Sequence, residues 1–332
     1  MAASRNAVDK LEFPVLVGDI GGTNARFALI AEREGPVLPF ASVATADFPD
    51  IEAAIEASVL SHTQLRPRSA VIDLAGPVKG DAVKITNAHW VIRPLEVMRK
   101  TGVGDVILLN DFEALALALP LLGDEASGEL RWIGAPRANR ALPMAVIGPG
   151  TGLGVAGCVP ACGGWVAVAA EGGHVTAAPA DDFESEVLRV LRIEYRHVSA
   201  ERVLSGIGLP LLHRAVSRLR GGPDETLTAE EITRRAREQR EPHALATLDT
   251  FCAMLGGFAG NVALTLGARG GVFVAGGIAQ KLGDDFIRSR FRERFEAKGR
   301  FDPYLSRIAT ALVTAPHPAL RGAAQALRQS QG

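Results

Sequence analysis

The residues able to do chemistry in this chain gather at glycine-rich turns. Residues 16–29, LVGDIGGTNARFAL, carry an apolar run through Asp19 into Gly21, Gly22 and Thr23, and a second apolar run follows from Asn24. Paired glycines let backbone N–H groups close on a bulky anion, and the Thr23 hydroxyl adds a donor. A carboxylate beside them is the group that holds a hard divalent cation. The stretch Gly18, Asp19, Ile20, Gly21, Gly22, Thr23 and Asn24 is therefore a candidate phosphate turn, with Asp19 positioning Mg²⁺ through water and Arg26 adding positive charge nearby. About 130 residues later IGPGTGLGVAG, residues 147–157, repeats the plan with Gly150, Thr151 and Gly152. Two such hairpins could grip one phosphate chain from both sides. Neither is a dinucleotide fingerprint, because the third glycine after Gly148-x-Gly150 is replaced by Leu153, and neither ends in the Lys-Ser/Thr of a P-loop. A third glycine pair, Gly276 and Gly277, closes the apolar run GGVFVAGG, where a flat base or ribose could lie against backbone.

Acid–base candidates stand at the ends of other apolar runs. Asn110 and Asp111 follow DVILL, at the carboxyl end of a predicted strand, where α/β sheets gather ligands. Taken alone, Asp111 reads first as a helix N-cap and second as a general base. Glu171 and His174 lie on the glycine turn of AAEGGHV, and Glu201 follows Ser199 at a predicted helix start. Alone, these three are a solvated acid, a structural imidazole and an acid complementing a helix dipole.

The elements that must position these groups alternate early in the chain. PVLVGD, ARFALI, SAVIDLAG and DVILLN are apolar strands interleaved with helices, one opened by Pro49 and Asp50 and one near residues 94–102, which predicts an α/β lobe with a covered sheet. A polar segment, residues 123–139, then separates a second lobe that starts with the strand PMAVIG. Most of the later chain reads as helix, including one with a predicted Thr228-x-x-Glu231 capping box, and the strand IATALVTA precedes a terminal helix. The expected division is a small α/β domain over residues 13–122, with helix 317–330 returning to it, and a large α/β domain over 123–316.

Bulk properties bound the rest. A chain of 332 residues fits two lobes of roughly 100–200 residues each. With 36 basic and 37 acidic residues and a net charge of −1, no global field attracts nucleic acid. Three cysteines make no disulfide framework, and MAASRNAVDKLEF lacks the apolar core of a secretory signal, so a reducing cytoplasm is expected. The uncharged stretch 251–268, with Gly256 and Gly260 in GxxxG spacing, suits a buried helix better than a membrane span, because Asn261 and internal glycines interrupt it.

In order, LVGDIGGTNAR, NDF, GPGTGLGVA, EGGHV, HVSAERVLSG and GGVFVAGGI resemble the bacterial glucokinase family across nearly the whole chain. The family is part of the sugar kinase, hsp70 and actin superfamily. The resemblance implies a two-lobed actin-like ATPase (ribonuclease H-like) fold with a cleft between a small and a large domain. The implied substrates are ATP and glucose, with Mg²⁺, in a cytoplasmic homodimer with neither nucleic-acid nor membrane partners. It makes Asp111 the catalytic base and Asn110, Asp111, Glu171, His174, Glu201 and Asn87 the glucose ligands. Lobe closure over the sugar would protect the γ-phosphate from water. Related ROK sugar kinases carry clustered zinc-binding cysteines after their Glu-x-Gly-His motif, whereas Cys158 and Cys162 precede EGGH and Cys252 lies in the long helix, so no structural zinc is expected. The rivals are a kinase for another hexose or amino sugar and a non-enzymatic sugar sensor. With about a dozen residues before the first strand, no room for a DNA-binding helix-turn-helix is expected there.

Overall fold

The computed structural model describes residues 11–33, 35–76, 78, 80–85, 88–134, 137–161 and 163–329; Asn87 and Cys162 lie outside the described residues. The chain divides into two compact units, one comprising Met1–Leu122, Ala161–Ala169 and Pro316–Gly332 and the other Gly123–Pro160 and Ala170–Ala315.

In the first unit the strands are β1 (Val15–Ile20), β2 (Asn24–Ile30), β3 (Val37–Pro39), β4 (Val43–Ala44), β5 (Ser69–Leu74), β6 (Val83–Lys84), β7 (Val91–Ile92) and β8 (Asp105–Asn110). Its main sheet runs β3-β2-β1-β5-β8, with β4 also on β2. The β1–β2 hairpin is antiparallel, and β1, β5 and β8 are parallel. Parallel strands are covered on both faces, which is why VLVGDI and SAVIDL read as near-continuous apolar runs. One face packs on Ile51, Ile55, Trp90 and Val97. The other is covered by helix Pro318–Gln329, whose Leu320, Ala323, Ala324 and Leu327 meet Val15, Val17, Val71 and Ala114. Asp50 caps helix Ile51–Ile55 by accepting from the Ala53 N–H at 2.8 Å.

In the second unit β9 (Leu130–Ile133), β10 (Met144–Pro149), β11 (Leu153–Ala161), β13 (Gly271–Val274) and β14 (Thr310–Val313) form the order β11-β10-β13-β14-β9; the strand after β11, β12 (Gly164–Ala170), falls in the first unit as far as Ala169. Strand β9 lies in the segment read from sequence as a polar connection. Its two ends, Leu130 and Ile133, are fully buried, and it pairs antiparallel with β14, a partner some 180 residues away that no local pattern announces. The uncharged stretch forms most of the 25-residue helix Pro242–Leu266. Its GxxxG face receives another helix of the same unit: a Cβ at Gly256 would overlap the Phe291 carbonyl, and one at Gly260 would lie 2.7 Å from the Phe295 carbonyl oxygen. Among the described residues no helix is long and apolar enough to cross a membrane. The predicted capping box at helix Ala229–Glu238 is half made. Thr228 Oγ1 accepts from the Glu231 N–H at 3.1 Å, but the Glu231 carboxylate turns to Arg234 and Arg235, which hold its pKa down to about 2.

Candidate active site

In the first unit the hairpin between β1 and β2 builds the first phosphate turn. Gly21 N–H donates to the Asn24 carbonyl at 2.9 Å, closing Gly21, Gly22 and Thr23 into a tight bend. The buried Thr45 braces it from outside: its hydroxyl donates to the Gly22 carbonyl at 3.0 Å and its N–H to the Thr23 carbonyl at 2.9 Å. Gly18 is closely packed, since a Cβ there would sit 3.3 Å from the Ile72 side chain, and Ile20 turns its side chain into the core. Asp19 sits opposite Arg26 across the hairpin, and Arg26 Nη1 donates to Asp19 Oδ2 at 3.1 Å. That pair orients a hard oxygen donor at the mouth of the turn, which fits a Mg²⁺ ion sharing its shell with phosphate oxygens.

Asn110 and Asp111 lie where β8 passes into helix Asp111–Ala118. The helix cap is Asn110 and not Asp111, which corrects the first reading of Asp111 made from its residue type. Asn110 Oδ1 accepts from the Phe112 N–H at 3.0 Å, and Glu113 Oε2 returns to the Asn110 N–H at 3.0 Å. Asn110 Nδ2 donates to the Gly76 carbonyl at 3.0 Å, so this amide is largely committed to holding the strand end. Asp111 occupies the first helical position, with Oδ1 also accepting from the Phe112 N–H at 3.0 Å.

Between these carboxylates lies a residue that sequence reasoning missed. Asp73 on β5 is in register with Asp19 on β1 and with Leu109 on β8, is fully buried, and has no hydrogen-bond donor at either carboxylate oxygen among the described residues. Burial first, then the negative charges of Asp19 and Asp111, hold its pKa well above the usual carboxylate range. Asp73 is therefore a buried acid whose protonated form is favoured by its surroundings, placed in register with Asp19 on the neighbouring strand. The available signal was an acid inside SAVIDL, a run apolar enough to be buried on both faces.

The second unit carries the other candidates. The turn after β10 is closed by Gly150 N–H donating to the Gly152 carbonyl at 2.9 Å. Glu171, Gly172, Gly173 and His174 form a tight turn after β12, in which the His174 N–H donates to the Glu171 carbonyl at 3.0 Å. His174 stands between two acids: Nε2 is 3.9 Å from Glu171 Oε2 and Nδ1 is 3.8 Å from Glu201 Oε1. Three groups that accept bonds from hydroxyls thus converge from two segments, and such a cluster suits a polyol. Glu201 lies in an irregular run of turns rather than at a helix start; the next helix is Leu209–Leu219. The run is held irregular by bonds to its neighbours. Glu201 N–H donates to the Gly173 carbonyl at 2.8 Å, Ala200 N–H to the Val175 carbonyl at 2.8 Å, and Gly206 N–H to the Gly150 carbonyl at 2.7 Å. Glu201 Oε2 also accepts from the Leu153 N–H at 2.9 Å.

Gly276, two residues past β13, stands at φ 140°, and a Cβ there would fall 2.6 Å from the Pro149 carbonyl oxygen, so the second candidate phosphate turn and the glycine pair touch. Gly277 opens the short helix Gly277–Leu282. Beside it is an open cavity of about 870 Å³ lined by Ile278, Leu282, Leu209 and Leu248 with Arg234, Arg237 and Lys281, large enough for a nucleoside. Cys158 and Cys252 are buried free thiols whose pKa is pushed up to about 12 by burial, and both are inert at neutral pH. Among the described residues no group of three or more potential metal ligands is found.

Known proteins resemble this chain over nearly its full length. The family model described as glucokinase matches residues 16–330. The glucokinase of Aromatoleum aromaticum is 46% identical over 316 residues, 95% of each chain, and that of Chromobacterium violaceum is 44% identical over 94% of this chain and 88% of its own. Among solved structures, the glucokinase of an Antarctic psychrotroph superposes with a TM-score of 0.86 at 36% identity, covering 95% of this chain and 99% of that one. The fold is the α/β, two-domain actin-like ATPase fold expected from the motifs. From a match of this extent and relatives at these identities, the chain belongs to the glucokinase family.

Proposed function

We propose that this protein transfers the γ-phosphoryl group of ATP to the 6-hydroxyl of D-glucose, giving glucose 6-phosphate and ADP. The observation that carries the reading is that the Glu171, His174 and Glu201 cluster and the glycine turn at Gly150–Gly152 form one bonded structure, joined where Glu201 Oε2 accepts from the Leu153 N–H at 2.9 Å. Glu171, His174 and Glu201 accept bonds from the sugar hydroxyls, and Asn110, Asp111 and Asn87 complete the ligand set in this reading. Asp111 takes the proton of the 6-hydroxyl as that oxygen attacks the γ-phosphorus. The bond from phosphorus to the bridging oxygen breaks, and ADP leaves with that electron pair. The turns at Gly21–Asn24 and Gly150–Gly152 supply amide donors to the phosphates. The nucleoside lies against Gly276 and Gly277 in the adjoining cavity. Asp19 would hold Mg²⁺, which offsets phosphate charge when bound. Zinc has no part in this reading, and the protein acts as a homodimer in the cytoplasm.

A coupled assay with purified protein, Mg²⁺ and ATP against glucose, fructose, mannose, N-acetylglucosamine and N-acetylmannosamine tests it. The expected result is a kcat/KM for glucose at least tenfold above each of the others. Preference for an amino sugar or another hexose would replace the substrate, and absence of transfer to any sugar despite sugar binding would make the protein a sensor. Sedimentation of the native protein tests the dimer.

A further inference from the structure

Glu201 has two oxygens with different tasks. Oε1 faces His174, at 3.8 Å from Nδ1, while Oε2 accepts the Leu153 N–H at 2.9 Å. Leu153 follows Thr151 and Gly152 directly, and it faces Pro149 across the β10–β11 hairpin. The carboxylate lies so near this turn that a Cβ at Gly152 would stand 2.5 Å from Oε2. Glu201 is only 25% exposed at its side chain, against 67% for Glu171 and 62% for His174, so it is the member of the cluster held by the protein itself. Its backbone is pinned on the sugar side by the bond to Gly173, and Gly206 of the same segment is pinned to Gly150 on the phosphate side.

We propose that Glu201, besides meeting sugar, is a positioning residue for the second phosphate turn: through Oε2 it fixes the Leu153 N–H and so the backbone of Thr151 and Gly152 that would grip the nucleotide. The inference rests on the proposed function for what each turn binds. The phosphate turn is then set before sugar arrives, and only Oε1 is left to the sugar side.

Two substitutions separate the tasks. Glu201→Gln keeps a carbonyl oxygen at the same reach for Leu153 but presents an amide to His174. Glu201→Asp keeps the charge but is one methylene too short to reach Leu153 while its backbone is pinned at Gly173. Calorimetric titration with ADP and Mg²⁺ in the absence of sugar should show Glu201→Gln within about twofold of the parent and Glu201→Asp weakened roughly tenfold, as for loss of one charge-assisted hydrogen bond. Glucose affinity, titrated without nucleotide, should fall in both. Hydrogen exchange at the Leu153 amide should stay slow in the parent and in Glu201→Gln and quicken in Glu201→Asp more than at the other amides of strands β10 and β11, a difference that a general drop in stability would not produce. Unchanged nucleotide affinity and unchanged Leu153 protection in Glu201→Asp would overturn the inference, leaving Glu201 a sugar ligand alone. Failure of the proposed function would look different: the parent itself would bind no ADP or transfer no phosphate to glucose.

Discussion

Asp73 offers the sharpest test of the electrostatics. It is fully buried, no donor among the described residues reaches its oxygens, and Asp19 and Asp111 add like charge, so its folded pKa stands well above the unfolded value of about 3.9. The folded protein therefore binds a proton that the unfolded chain releases. Stability from this group is fully present below the unfolded pKa and declines as pH rises from there through the folded pKa. For one proton the slope is at most about 1.4 kcal/mol per pH unit in the interval between the unfolded and the folded pKa. Asp73→Asn keeps size and polarity but removes the titration. Urea unfolding of parent and variant at pH 4.5, 5.5 and 6.5, followed by fluorescence, should show the variant gaining on the parent with each step. Because the charges of Asp19 and Asp111 help to raise the Asp73 pKa, the gain reports the cluster and not Asp73 alone. Parallel stability curves, or a gap that closes as pH rises, would refute the raised pKa of the buried acid.

Other outcomes follow from the same geometry. Asp111→Asn should lower kcat by roughly 10²–10⁴ while glucose affinity, measured by calorimetry, weakens only about tenfold; more than a tenth of the parent kcat would remove Asp111 as the base. Gly173→Ala places a Cβ onto the Leu153 carbonyl, so thermal melts should show a loss of about 1–3 kcal/mol, with a raised KM for glucose. Arg294→Ala strips the guanidinium from Glu184, to which it donates at 2.5 Å, and from Asp181 at 3.0 Å; leaving the buried Glu184 with the Ala180 N–H but no counter-charge should cost about 3 kcal/mol in urea titration. Removing divalent ions with EDTA should abolish activity until Mg²⁺ is restored, while a zinc-selective chelator leaves it intact; stoichiometric zinc by elemental analysis would contradict this.

What was legible in the sequence was what neighbouring residues decide among themselves. The glycine pair before Thr23 and the glycines around Thr151 announced turns because few other residues let backbone amides converge, and apolar runs such as VLVGDI announced covered strands because burial on both faces excludes alternation. Asp50 was legible as a helix start for the same local reason. The order of such motifs was distinctive enough to carry the family and the fold. Tertiary structure decided what depends on register and on which distant segments meet. Strand β9 exists because β14 supplies its partner. Asn110, and not Asp111, became the cap because Gly76 and Glu113 engage its amide and backbone. Glu201 was drawn out of a helix start by bonds to Gly173 and Leu153. Asp73, one acid in an apolar strand, became part of a carboxylate cluster only when β5 aligned with β1. Such facts escape a linear reading because they follow from pairing between segments far apart in the chain, where a one-residue slip would turn every side chain to the opposite face.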